Sequence, residues 1–201
     1  GGLASGAIIV ALLGVPRAEA WPYIAVSVVI HLLYWLTLFK SYDLADLSHI
    51  YTLARGLAPL LVAVGAAVAA REAPPAIKAF GIALVSTGVL AVGASPRAPL
   101  KATLWALACG LTIASYSLID ALGVRANGHA LQYLGWHMAL QSLPMMAYAL
   151  WRRGRVILTT EAPWRGIAIG VVSFAGYGLV LWAQTFAPIA DFVATRSGRR
   201  R

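Results

Sequence analysis

Long apolar runs follow one another along this chain, and each is closed by proline, glycine or a basic residue. A helix needs about 20 mostly apolar residues to cross the hydrocarbon core of a bilayer. Six stretches approach that length, at residues 23–39, 47–70, 77–94, 102–119, 131–151 and 166–187, and a shorter one stands at 3–15. Between them lie Pro16-Arg17, Arg71-Glu72-Ala73-Pro74-Pro75, Ser95-Pro96-Arg97, Arg125-Ala126-Asn127-Gly128 and Arg152-Arg153-Gly154-Arg155, all breaker sequences. Such spacing leaves one economical solution, an all-α polytopic bundle in a membrane.

Composition supports the same solution. Apolar residues make up 60% of the 201 and charged residues 11%, against about 45–50% and about 25% in soluble domains. One soluble core cannot hide that much apolar surface. The net charge of +9 sits mostly in the connections, where cationic loops flank membrane helices, so nucleic acid is not an expected partner. Cys109 is the single cysteine and lies in an apolar run, which excludes a disulfide and a cysteine-based metal site within the chain. No hydrolytic, phosphate-loop or metal motif appears, so neither a metal nor a cofactor is expected.

Arg55 is the most informative residue. It lies about 12 Å into the segment 47–70 at 1.5 Å per residue, near the middle of a core about 30 Å thick. A central arginine costs at least about 2.5 kcal/mol to insert. Four residues on, Pro59 has no N–H, so the carbonyl of Arg55 loses its helical donor. Tyr51 and Ser48 share its face of the helix. Together these groups suit an anionic or zwitterionic solute. The competing reading is an arginine that snorkels or pairs with Asp43 or Asp46.

His31 and Tyr34 stand in the segment 23–39, and Thr112, Tyr116 and Asp120 follow at single-turn spacing from the segment 102–119 onward. Asp120 is expected at the interface, and His49, Asp43 and Asp46 at a solvated helix mouth. Trp136, His137 and Gln141 read as packing, as do Gly81 and Gly88, which would let helices approach closely. Tyr177, Trp182 and Gln184 are cavity candidates in the last segment.

An internal pairing adds to this. Tyr34-Trp35-Leu36-Thr37-Leu38-Phe39 aligns with Tyr177-Gly178-Leu179-Val180-Leu181-Trp182, and Tyr51-Thr52-Leu53-Ala54-Arg55-Gly56 with Phe192-Val193-Ala194-Thr195-Arg196-Ser197. Five segments separate the copies. An odd number of crossings per copy inverts the second in the membrane, the arrangement of many secondary transporters.

The stretch 42–63, YDLADLSHIYTLARGLAPLLVA, resembles the fourth helix of drug/metabolite transporters of the EamA type. Arg71-Glu72-Ala73-Pro74 resembles the loop that follows it, Gly81 and Gly88 the next helix, and His31-Leu32-Leu33-Tyr34 the third. The resemblance implies ten helices in two inverted five-helix repeats around a central cavity, and about seven of the ten in this chain. It places the first repeat at 1–94, with its first helix missing and its second partial. The second repeat falls at 102–197, cut in its fourth helix, and a basic tail at 198–201. The short first segment and the abrupt basic end suggest a fragment or a foreign C-terminus.

The implied function is alternating-access transport of small metabolites, amino-acid-like or otherwise polar or amphipathic, across the inner (cytoplasmic) membrane, without catalysis. The expected partners are the lipid bilayer and a small-molecule solute, and a homodimer is allowed. An integral membrane enzyme subunit or scaffold acting on lipid-linked substrates is the alternative. It would need acids or histidines clustered at a membrane face.

Overall fold

A computed structural model describes residues 2–44, 46–69, 75–93, 98–153 and 163–186. They form seven helices, α1 (Gly2–Leu13), α2 (Trp21–Tyr42), α3 (Leu47–Ala69), α4 (Ala76–Gly93), α5 (Leu100–Asn127), α6 (Ala130–Arg153) and α7 (Pro163–Phe186). A short 3-10 turn, Ala18–Ala20, leads into α2. There is no strand among the described residues. The basic tail and Phe192–Ser197, the second half of the internal pairing, lie outside them.

Among the described residues, four stretches are long and apolar enough to cross a membrane: Ala18–Tyr42, His49–Val68, Ala76–Gly93 and Leu100–Asn127. α6 has 24 residues but is diluted by Gln132, Trp136, His137, Gln141 and Ser142. α5 is the longest at 28 residues and runs eight residues past the expected end at 119. Its stop is chemical: Gly128 takes φ 74°, and its N–H bonds the Val124 carbonyl at 2.9 Å. Gly14 ends α1 in the same way, with φ 70° and a 3.0 Å bond to Val10. Both are left-handed caps that a residue with a Cβ would strain.

Apolar side chains fill the cores and also cover much of the surface. Large apolar groups point outward, among them Leu36, Val68, Ile77, Phe80, Leu84 and Val92, while Ser27, Ser41, His49, Ser86, Asp120, Asn127 and His137 are buried. Of the α4 residues only Ser86 and Gly93 are buried. Serine and threonine hydroxyls turn back onto their own helices, as in Ser41 to Thr37 (2.6 Å), Thr112 to Cys109 (2.8 Å) and Ser117 to Ile113 (2.7 Å). Each thereby satisfies a donor without water.

The contacts group into two units, one from Gly1–Val28 with Asp120–Arg201 and one from Val29–Ile119, so the division falls inside α2 and α5. In the first unit, Ala20, Ile24, Val124, Tyr133, Leu134 and Leu181 form the core. α1 packs on α6 through glycine. A Cβ on Gly6 would lie 2.7 Å from the Ala139 nitrogen and 2.9 Å from the Gly135 oxygen. A seam of hydrogen bonds ties the end of α1 and the connection after it to the end of α5 and the first turns of α6. Gln132 Nε2 donates to the carbonyls of Leu13 (2.7 Å) and Val15 (3.0 Å), and Trp136 Nε1 donates to that of Gly14 (2.8 Å). The Arg17 N–H donates to Asn127 Oδ1 (2.9 Å), and Asn127 Nδ2 donates to Gln132 Oε1 (3.1 Å).

In the second unit, α3 packs on α4 around Ile50, Leu53 and Ala106, flanked by Tyr42 and Leu90. Gly56 meets Val89 and Leu90, and Gly110 of α5 comes against the Ala54 carbonyl. Gly81 and Gly88, expected to be contact points, have no atom within 4 Å of a would-be Cβ. Small-residue spacing permits close approach, but among the described residues no neighbour comes to their face of α4.

His49 also departs from expectation. It is buried rather than solvated, with Nδ1 2.6 Å from the Gly93 carbonyl and Nε2 3.3 Å from the Thr103 hydroxyl. A carbonyl only accepts, so Nδ1 carries the proton, and in the neutral ring Nε2 accepts from Thr103. The imidazole thus joins α3 to the end of α4 and the start of α5.

Candidate functional site

Within the second unit, α3 presents Arg55 as an exposed side chain in the stretch His49–Val68. Its guanidinium lies over the Tyr51 ring, 5.3 Å from the centroid, one helical turn back. Tyr51 is itself 49% exposed. Among the described residues, neither Asp43 nor Asp46 pairs with Arg55, so the expected competing ion pair is not formed. Pro59 is exposed on the same helix, one turn on. The field of Arg55 reaches Tyr34 and Tyr42 on α2 and Cys109 on α5, and the Cys109 thiol bonds Thr37.

Beside these stands an aromatic trio. The His31 ring lies 3.9 Å from the Tyr116 ring, tilted by 31°, and Tyr34 meets Tyr116 edge-on at 5.8 Å. His31 and Tyr116 are 7% and 8% exposed, so they form a wall rather than a solvated rim. One cation on a polar helix face and several ring faces suit a carboxylate carried on an apolar or amphipathic body. The sequence-derived candidates Arg55, Tyr51, Tyr34, His31 and Tyr116 all fall in this one unit. The side chains of Ser48 and Gln184 lie outside the described ones.

Tyr177 belongs to the first unit and to a second constellation that sequence reasoning missed. Asp120, expected at the interface, has no exposed surface. α5 continues beyond it to Asn127, so the residue lies about 10 Å short of the helix end. Tyr133 Oη donates to Asp120 Oδ1 at 2.8 Å, and the Tyr177 hydroxyl donates to Oδ2. His137 lies parallel to Tyr133, with ring centroids 6.2 Å apart and planes 5° from parallel, and a ring nitrogen lies within 4.8 Å of an Asp120 oxygen. Ser27 of α2 meets His137 Nε2 at 3.1 Å and also hydrogen-bonds Tyr133.

His137 was expected to be packing; it is fully buried, but among polar partners. Gly123 makes room for the arrangement, since a Cβ there would come 2.7 Å from Tyr133 Oη. The spacing of Tyr133 and His137, one turn apart on α6, was the available signal. What hid the cluster was the supposed helix end at 119. No protein-family model matches this chain, and no curated protein or solved structure matches it.

Proposed function

We propose that these helices belong to a secondary transporter that carries small metabolites across the inner (cytoplasmic) membrane by alternating access. The observation that carries this reading is an exposed arginine partway along a helix that is long and apolar enough to span a bilayer. Facing lipid, that guanidinium costs at least about 2.5 kcal/mol; facing a water-lined path, it does not. Tyr51 lies beneath it, and its field reaches Tyr34 and Tyr42 on α2. A guanidinium binds carboxylates through paired hydrogen bonds. The solute class is therefore amino-acid-like or another small anionic or zwitterionic amphipath.

The resemblance of residues 42–63 to EamA-type permeases supports the same class and the arrangement in inverted repeats. On this reading the protein is a multi-pass carrier with lipid and solute as partners, a homodimer is allowed, and no cofactor takes part. The test is solute flux in sealed vesicles. Arg55→Ala abolishes flux of an amino-acid-like substrate while membrane insertion stays normal. Unchanged flux in the variant refutes the role of Arg55. Absence of flux for every solute in the wild type refutes the transporter reading.

A further inference from the structure

The geometry points to a proton-binding site in the first unit, in which Asp120 and His137 share a proton through the hydroxyls of Tyr133 and Ser27. If the transporter reading holds, this site is where proton movement is coupled to the solute.

Ionised carboxylate oxygens only accept, so Tyr133 and Tyr177 both donate to Asp120. With the Tyr133 hydroxyl directed at Asp120 Oδ1, the bond between Ser27 and Tyr133 is filled by the Ser27 proton, and Ser27 Oγ then accepts from His137 Nε2. An acid and a base are thus joined by two hydroxyls. A proton held by His137 can leave Nε2 for Ser27 Oγ as the Ser27 proton passes to Tyr133 Oη and the Tyr133 proton to Asp120 Oδ1. Three bonds to hydrogen break and three form, and the chain of bonds ends with reversed polarity. Nothing else is consumed.

The surroundings favour a proton over a metal ion. Each carboxylate oxygen already accepts one hydroxyl donor, so a cation is left only the remaining lone pairs of a carboxylate whose charge those bonds already share. A proton moves along bonds that exist. The titratable groups that face Asp120 within the unit are Tyr133 and His137 from α6 and Tyr177 from α7, and α2 contributes the Ser27 hydroxyl. On α5 itself, Arg125 stands five residues on, about 140° around the helix from Asp120. An acid with no exposed surface in a spanning helix is by default a functional group.

The test is infrared difference spectroscopy of the full chain in lipid bilayers as pH is stepped from about 9 to about 4. The wild type gains a protonated-carboxyl C=O band that Asp120→Asn lacks, against the unchanged background of the other acids. Tyr177→Phe removes one donor and keeps the band at a displaced frequency, and Asp120→Glu restores it. Tyr177→Phe also serves if Asp120→Asn fails to insert. Identical spectra for wild type, Asp120→Asn and Tyr177→Phe overturn the proposal. So does the same spectral change produced by sodium at fixed pH, which would make this a cation site.

This readout needs no solute, so it stands or falls apart from the transporter reading. Where Arg55-dependent flux is found, an imposed pH gradient drives accumulation by the wild type and not by Asp120→Asn. Flux that ignores the gradient overturns the coupling alone.

Discussion

Gly6→Ala tests the packing that positions α6, and with it Tyr133 and His137. The added methyl would lie 2.7 Å from the Ala139 nitrogen, 2.9 Å from the Gly135 oxygen and 3.1 Å from the Ala139 Cα. All three are backbone atoms, so no side chain can rotate away. Ordinary contacts lie at about 3.5–4.0 Å, which requires α1 and α6 to separate by about 0.7 Å. Overpacking of this kind costs about 1–3 kcal/mol. Gly81→Ala is the control, because its methyl meets nothing within 4 Å. Helix propensity there favours alanine by about 0.5–1 kcal/mol. Gly6 lies inside α1, so the same preference applies there and cancels, and the two variants are expected to differ by about 1–3 kcal/mol, the overpacking cost. Thermal unfolding in detergent micelles, followed by tryptophan fluorescence, reads the difference. Equal midpoints for Gly6→Ala and Gly81→Ala refute the packing of α1 on α6.

Three other perturbations follow from the contacts. His49→Ala removes the donor to Gly93 and the acceptor for Thr103, and equilibrium unfolding is expected to show a loss of about 2–4 kcal/mol. Tyr51→Ala removes the ring beneath Arg55 and lowers Arg55-dependent flux, with a loss of about 0.5–1 kcal/mol in solute affinity, whereas Tyr51→Phe keeps the ring and the flux. Gln132→Leu breaks the bonds to Leu13 and Val15, and hydrogen exchange at the α1 amides is expected to quicken by about tenfold.

Helix positions were legible because breaker chemistry is local. Gly128 and Pro16 act on the residues beside them, and the expected boundaries fall within a few residues of those seen in α2, α3 and α4. α5 outruns its apolar segment, because the run of apolar residues closes at 119 while the stop is the left-handed Gly128, eight residues beyond Asp120. The Arg55 face was legible for the same local reason, since Tyr51 and Pro59 sit one turn to either side. The partners of Asp120 were not, because Ser27, Tyr133, His137 and Tyr177 come from three other helices. Sequence spacing orders groups along one helix and says nothing of which face a neighbour meets. Gly81 and Gly88 make the same point in reverse, having the spacing for contact and no neighbour among the described residues.

The seam between the α1 connection and the α6 turn is built from neutral amides, an indole and backbone carbonyls; even Arg17 contributes its backbone N–H. Ionic screening acts on charges and leaves such dipoles nearly untouched. The attachment of α1 to its unit is therefore indifferent to the salt content of the medium, whereas any hold that Arg55 has on an anionic solute weakens as salt rises. On the proposed function, one chain thus carries a fastening deaf to ionic strength and a recognition face tuned by it.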